Sequence, residues 1–267
     1  MARYNRLLIT GAAGMLGGVM RKDLTDVADI IRLTALEEIT DLAGHEEQYA
    51  CDLADKNAVM KLTKDVDAVV HMGGVSKEAS FDDILQSNIV GFYNLYEACR
   101  KNGVKRMTWA SSVHAVGFYP TTHVIDSDAP LRPDSNYGVS KAFGENLAQY
   151  YWDKYQLETV SVRVYSSFPK PADRRHLNTY LSFRDCVECF RQSLLAPVVG
   201  HTIIYGVSDN KVKFTDNRRA AHIGYHPQDS SEEFREHLEA TQPEPAIDDP
   251  FIARHGGGFV TAGHFED

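Results

Sequence analysis

The apolar run Leu7-Leu8-Ile9-Thr10 passes directly into Gly11-Ala12-Ala13-Gly14-Met15-Leu16-Gly17, and helical spacing continues from Met15 to about Leu24. This junction narrows the accessible folds more than any other part of the chain. Glycines at G-x-x-G-x-x-G spacing turn the backbone sharply and let it approach a pyrophosphate. The following helix then offers its N-terminus to the phosphate charge. Elsewhere such a triplet would mean only a turn. Between a first strand and a helix it predicts a dinucleotide-binding unit, with Gly11, Ala13, Gly14, Met15, Leu16 and Gly17 against the cofactor.

The same rhythm continues to about residue 165. Strand candidates at Ile30–Leu33, Gln48–Cys51, Ala68–Met72, Arg106–Ala110 and Thr159–Val164 alternate with helical stretches at Asp55–Lys64, Phe81–Lys101 and Tyr137–Tyr155. Continuous apolar strands separated by helices signal a parallel sheet covered on both faces. The expected fold is therefore α/β, a Rossmann-type doubly wound parallel sheet. Beyond residue 165, prolines break the rhythm and the segments shorten. Residues 1–165 read as the dinucleotide-binding core. Residues 166–267 read as a smaller, irregular substrate-binding lobe and tail, integrated with the core as one compact unit.

Acidic residues outnumber basic ones, 37 to 28, giving a formal net charge of −9. With no Lys/Arg cluster, this argues against nucleic acid or an anionic membrane as partner. No apolar run approaches the ~18 residues of a membrane span, and no signal peptide fits. Cys51, Cys99, Cys186 and Cys189 are too few and scattered for a disulfide framework, so a cytoplasmic protein with reduced thiols is expected. Cys186-x-x-Cys189 has no second cysteine pair, and reads as two small apolar side chains on a helix rather than as a redox or metal motif. No metal is expected: His222 and His226 share a helical spacing but lack acidic or cysteine partners. Nothing in the sequence sets the oligomeric state, and a homo-oligomer is compatible with it.

At the other end of the cofactor, the second strand runs into Thr34-Ala35-Leu36-Glu37-Glu38. A dinucleotide fold usually places an acid here for the adenosine ribose. Ala35 occupies that position, which leaves NADP open beside NAD. Asp52 and Leu53, after the third strand, suit the adenine edge. The His71-Met72-Gly73-Gly74 turn places Gly73 and Gly74 beside the cofactor.

Tyr137-Gly138-Val139-Ser140-Lys141 puts a phenol and an ammonium on one helix face, at i and i+4. A free tyrosine titrates at about 10, and about 1.4 kcal/mol is needed for each unit by which it is lowered. A neighbouring cation lowers it and suits Tyr137 to general-base work. Ser112, ending the fifth strand, offers a hydroxyl to the substrate oxygen. The glycine turn, serine and Y-x-x-x-K occur in the order of the extended short-chain dehydrogenase/reductase superfamily, which the chain resembles.

The resemblance sharpens at Thr10-Gly-Ala-Ala-Gly, Cys51-Asp-Leu-Ala-Asp, Asp83-Ile-Leu-Gln-Ser-Asn-Ile, Tyr93-Asn-Leu-Tyr-Glu-Ala, Ala110-Ser-Ser, Gly144-Glu-Asn-Leu-Ala and Gly256–His264. Together these resemble the uronate dehydrogenase family over nearly the whole chain. The resemblance implies NAD-dependent oxidation of the C1 hemiacetal of a hexuronate, galacturonate or glucuronate, to the aldarolactone. It also implies that Ser76, Ser112, His114, Tyr137, Ser166 and Arg175 contact the sugar, with Arg175 taking its carboxylate. Asn88 falls at the superfamily's asparagine, which supports the lysine through water.

Val113 replaces a substrate-facing asparagine of that family, and Val164-Tyr165 replaces its Ile-Gly. Arg174-Arg175-His176 is unusually cationic. Tyr205-Gly-Val-Ser-Asp-Asn and Leu181-Ser-Phe-Arg-Asp-Cys resemble an archaeal branch that oxidises glucose 6-phosphate. A dehydrogenase of a phosphorylated or sulfonated hexose is therefore the alternative. A nucleotide-sugar epimerase or dehydratase fits less well, because the segment after Lys141 is short for the larger lobe those enzymes carry. A non-catalytic dinucleotide sensor is at odds with the intact Ser112, Tyr137 and Lys141.

Overall fold

The computed structural model describes residues 4–263 and 265. His264, the last residue of the tail motif, lies outside them. In chain order the strands are β1 (Tyr4–Thr10), β2 (Ala28–Thr34), β3 (Glu46–Gln48), β4 (Ala68–His71), β5 (Arg106–Ser112), β6 (Glu158–Val164), β7 (Ser166–Ser167), β8 (Tyr180–Leu181) and β9 (His201–Gly206). The helices are α1 (Met15–Asp23), α2 (Lys56–Leu62), α3 (Phe81–Ile84), α4 (Gly91–Asn102), α5 (Asn136–Tyr155), α6 (His176–Thr179), α7 (Phe183–Leu195), α8 (Arg235–Thr241) and α9 (Pro250–Ala253).

Seven strands form one sheet in the order β3-β2-β1-β4-β5-β6-β9, and every pairing is parallel. The two-residue strands β7 and β8 pair with each other beside it. The expected Rossmann-type α/β sheet is present. Its strand order reverses between β1 and β4, so their connections leave in opposite directions and open a crevice beyond the strand ends. The Gly11 and Gly73 turns both lie at that crevice.

Side chains alternate across a strand, and β1 shows why the sheet needs covering on both faces. Leu7 and Ile9 enter one apolar cluster, with Met20 of α1 and Phe190 and Leu194 of α7. Leu8 enters the other, with Phe92, Leu95 and Tyr96 of α4 and Tyr151 of α5. α7 and β9 both come from beyond residue 165. Cys186 and Cys189 are fully buried on α7, where burial pushes the Cys186 thiol up to about 12.

Local signals explain most element ends. Asp55 caps α2 by accepting from Asn57 N and Ala58 N, and Gly103 ends α4 in the left-handed region at φ 74. Two elements differ from the periodic reading. The third strand is Glu46–Gln48, upstream of the apolar positions expected for it. Ion pairs hold this polar edge strand, Arg21 to Glu46 at 2.6 Å and Arg32 to Glu47 at 2.7 Å. The long helix expected from Phe81 is interrupted by a π-helical turn, Leu85–Val90, which contains Asn88. Such turns cost regular hydrogen bonding and recur where a side chain must be re-aimed.

Two buried histidines make the fold sensitive to acid. His71 bonds Thr10 Oγ1 through Nδ1 at 2.7 Å and stacks on Phe92. His255 bonds the Tyr165 hydroxyl at 2.5 Å. Burial, helped by the charge of Lys141, lowers His71 from the ordinary 6.5 to about 3. Burial lowers His255 to about 4. Unfolded, each takes a proton below about 6.5; folded, it does not. Their stabilising contribution is present above that value and is lost as pH falls. Between about pH 6.5 and 5, above the carboxylate range, unfolding free energy should drop by about 1.4 kcal/mol per pH unit for each histidine. Urea unfolding across this window measures it, and a flat profile would show that both rings are protonated in the folded chain.

Candidate active site

The crevice is shaped for a dinucleotide by close backbone packing. Gly11 has φ +65, and a Cβ there would lie 2.7 Å from Gly73 N and Met72 O. A Cβ at Gly17 would lie 2.0 Å from Gly11 O, so only glycine lets α1 start against this turn. Gly14 is the N-cap of α1 and makes no side-chain cap. Ala13, Gly14 and Met15 are exposed there, so the helix N-terminus opens to solvent where a pyrophosphate is expected. Leu16 packs half-buried on the core. Leu53 packs beside Gly73 and Gly91, and Asn94 Nδ2 holds its carbonyl at 3.0 Å. Asp52 is exposed and accepts from Ala54 N at 2.9 Å. These residues fit the cofactor the glycine motif implies.

At the end of β2, Ala35 is buried and Leu36 is 80% exposed. Arg32 turns away from the crevice: its Nε donates to Glu47 and its Nη1 to the Leu62 and Lys64 carbonyls. Ala35 therefore offers no carboxylate to a ribose, and Arg32 is spent away from any 2′-phosphate.

Ser112, Tyr137 and Lys141 converge where β5 meets the start of α5, and all three are buried. Ser135 caps α5 by accepting from Gly138 N at 2.9 Å. The Lys141 ammonium donates to Ala110 O at 2.7 Å and lies 5.1 Å from the centre of the Tyr137 ring. Burial lowers Lys141 to about 8, against a small opposing pull from Glu145. Burial raises the Tyr137 phenol to about 12, while its hydrogen bond with Ser112 pulls it down. The sequence expectation of a lowered phenol thus meets an opposing desolvation effect. A phenol in this setting would need additional positive charge nearby to lose its proton near neutral pH.

The other expected residues divide into groups. Ser166 and Arg175 are brought together: Arg175 Nη1 donates to Ser166 Oγ at 3.3 Å and Nη2 to His255 O at 2.6 Å. Burial lowers the guanidinium's pKa, and among the described residues no carboxylate forms an ion pair with it. His114 stacks on Phe259 at 3.9 Å and meets the Tyr137 ring edge-on at 5.6 Å. Ser76 is exposed on the loop after β4. Asn88 spends its amide on Val75 N, Val75 O and Ser140 Oγ, at 2.8, 3.0 and 3.1 Å. It ties the Gly74–Val75 loop to α5 and makes no direct contact with Lys141. Val113, beside Ser112, packs at 3% exposure in a cluster with Val116, Ile125, Tyr165 and Tyr205. An isopropyl group gains more from that apolar cluster than from a wet pocket. Among the described residues no His/Cys/Asp/Glu group could hold a metal, and no helix is long and apolar enough to cross a membrane.

Three further side chains complete this site; Asp134 and Glu78 carry no sequence motif, and Phe259 lies within the Gly256–His264 stretch. Asp134 holds His114 Nδ1 at 2.8 Å. Glu78 accepts from Asn136 N and Tyr137 N at 2.9 and 2.8 Å, tying the Ser76 loop to the start of α5. Phe259 arrives from the tail. Each joins segments far apart in sequence, which only the folded chain reveals.

This fold, glycine turn and buried Ser-Tyr-Lys group belong to an extended short-chain dehydrogenase/reductase. The chain is a member of the NAD dependent epimerase/dehydratase family, whose model matches residues 7–182. Within it, the chain belongs to the uronate dehydrogenase family. It is 53% identical to a uronate dehydrogenase of Pseudomonas putida, with 98% of each chain covered. A solved uronate dehydrogenase from Agrobacterium tumefaciens superposes with a TM-score of 0.96 at 44% identity, covering 99% of this chain and 100% of that one. A mutant of the Agrobacterium enzyme has been solved complexed with NAD. An NAD-dependent glucose-6-phosphate dehydrogenase of Haloferax volcanii is 35% identical, over 85% of this chain and 95% of that one.

The bare end of β2 gives a direct test. Ala35→Asp should raise the NAD:NADP ratio of kcat/KM by about tenfold or more, by accepting ribose hydroxyls and repelling a 2′-phosphate. An unchanged ratio would remove Ala35 from the cofactor site.

Proposed function

We propose that this chain oxidises the C1 hemiacetal of a pyranose hexuronate, galacturonate or glucuronate, to its aldarolactone with NAD. The observation that carries the reading is Arg175, a part-buried guanidinium without an ion-pair partner beside Ser166. Burying a charge costs several kcal/mol unless a partner compensates it. A sugar carboxylate is that partner, and the planar guanidinium matches it in bidentate fashion.

Ser112 holds the C1 oxygen, and Tyr137 removes its proton. Bound NAD accepts the hydride and adds a positive charge near the phenol, opposing the desolvation that raises it. Lys141, cationic below about pH 8, supports the developing phenolate. Ser76, His114 and Ser166 bind the sugar hydroxyls, with Asp134 fixing the His114 ring. Asn88 and Glu78 position Tyr137 and Lys141 by holding α5 to the neighbouring loops. Gly11, Ala13, Gly14, Met15, Leu16, Gly17, Asp52, Leu53, Gly73 and Gly74 hold the dinucleotide, while residues 166–267 supply the sugar-binding lobe.

The cationic Arg174-Arg175 pair favours a second reading, a phosphorylated or sulfonated hexose as substrate. Turnover of galacturonate, glucuronate, glucose 6-phosphate and a 6-sulfo sugar ranks the two. The four buried, unpaired thiols suit a reducing cytoplasm, and a homo-oligomer is compatible with the reading.

Tyr137→Phe should bind NAD normally and lose turnover by about a hundredfold or more, the usual scale for a general base. Near-normal turnover would sink the mechanism. Arg175→Ala should raise KM for hexuronates by an amount corresponding to roughly 2–5 kcal/mol, and Arg175→Lys should recover part of it. If neutral sugars lose as much as acidic ones, Arg175 supports the loop rather than the substrate.

A further inference from the structure

Acidic residues outnumber basic ones in this chain, so carboxylates to pair with arginines are plentiful. Among the described residues, only Arg132, Arg174, Arg175 and Arg254 are arginines without an ion pair. Arg132 lies over the Tyr119 ring. The other three line one cavity of about 530 Å³. That volume lies in the range of a whole small-molecule site, roughly 300–1,000 Å³, and a single carboxylate would leave most of it empty.

The cavity is built from two chain segments pinned together. Thr121 N and Thr121 Oγ1 donate to Ala253 O and Ile252 O at 3.0 Å each, which sets Arg254 beside the loop after β5. Arg254 Nη1 donates to Phe118 O at 3.1 Å. Across the cavity, Arg174 Nη2 donates to Glu239 O at 2.7 Å, and its buried Nε has no partner. Arg175 stands at the joint, donating to Ser166 on the catalytic side. Asn178, Thr122 and Phe214 add an amide, a hydroxyl and an aromatic face to the wall. Asp248 also lines it, but is exposed and pairs with none of the arginines.

We infer that this cavity is a second uronate subsite, and that the enzyme oxidises the reducing end of a disaccharide of two uronate units joined through O4 of the reducing unit. The inference rests on the function proposed above. With the first carboxylate on Arg175, the reducing ring presents that end to the cavity. O4 sits on the ring carbon next to the one bearing the carboxylate, so its substituent leaves toward Arg174 and Arg254. The second carboxylate is met there by guanidinia that no protein carboxylate occupies. The reaction itself is unchanged. C1 of the reducing unit gives its hydrogen as hydride to NAD+ and its hydroxyl proton to Tyr137. It becomes the lactone carbonyl, and the glycosidic bond stays intact.

The test compares kcat/KM for galacturonate, α-1,4-linked digalacturonate, and the same disaccharide methyl-esterified on its second unit. Wild-type enzyme should oxidise digalacturonate with kcat/KM within about threefold of galacturonate, and the esterified disaccharide about tenfold less well. Arg254→Ala and Arg174→Ala should each lower digalacturonate turnover by about tenfold while moving galacturonate by less than about twofold. Arg254→Lys should restore part of the loss. Oxidation of galacturonate without digalacturonate overturns the subsite and leaves the function standing. Equal losses on both substrates in the arginine variants overturn it too, because the arginines then only support the tail. Inactivity on both sugars in the wild type removes the proposed function and the subsite together.

Discussion

The placement of the catalytic helix depends on one buried ion pair. Glu145, two turns into α5, receives Arg163 of β6 through Nε and Nη2 at 2.9 and 2.8 Å. It also accepts from Ser111 Oγ of β5 at 2.7 Å. The two charged side chains are 1% and 3% exposed. Arg163 Nη1 goes on to the Tyr205 hydroxyl at 2.7 Å, linking β9. Such a pair is weak evidence of net stability, because desolvation offsets most of the attraction. Removing one partner nonetheless costs about 3–5 kcal/mol. Its consequence here is positional: α5 is fixed over β5 and β6, which brings Tyr137 and Lys141 to Ser112.

Steric packing sets the same helix's height above the sheet. A Cβ at Gly144 would lie 2.6 Å from the Trp109 ring and 2.8 Å from Phe92. A glycine inside a helix costs about 1 kcal/mol relative to alanine, and close approach to the aromatic layer is what it provides. That approach buries Lys141 against the Trp109 ring at 5.3 Å. Ion pair, glycine and low Lys141 pKa thus form one causal sequence: the helix is drawn in, the ammonium loses water, and its charge becomes easier to remove.

How much of this the sequence shows depends on whether the signal is local. The Gly11–Gly17 turn, the Phe183–Leu195 helix and Tyr137-x-x-x-Lys141 are contiguous patterns, and the folded chain has the elements they imply. β3 escaped because Glu46-Glu47-Gln48 is polar, and its partners Arg21 and Arg32 lie on other elements. β9 escaped because only Ile203, Ile204 and Tyr205 of His201–Gly206 are apolar, and Pro197 breaks the rhythm just before it. The surroundings of Val113 are hidden from sequence for a different reason. A family position suggests what a side chain faces, but burial against Tyr165 and Tyr205 is decided by packing from distant segments. Asp134 and Glu78 have no local signal, since each matters only through what it touches, and the tail motif that contains Phe259 does not say that its ring meets His114.

The tail shows how a net-acidic chain can keep one guanidinium free of carboxylate partners. Gly256 N donates to Gly117 O at 2.9 Å and His255 N to Tyr119 O at 3.0 Å, so the tail is anchored on the loop after β5. That anchoring puts the His255 carbonyl on Arg175 and the Phe259 ring on His114. A carbonyl orients the guanidinium without neutralising it, so its charge remains for a ligand. An interaction with a carboxylate remote from C1 is the same in the ground state and the transition state, and by itself tightens binding without raising turnover. It speeds the chemistry only by fixing C1 against Ser112 and Tyr137, because well-oriented reactants give up less freedom on the way to the transition state. On the role proposed for Arg175, the rigidity of the tail anchor therefore decides whether charge recognition there is read in KM alone or also in kcat.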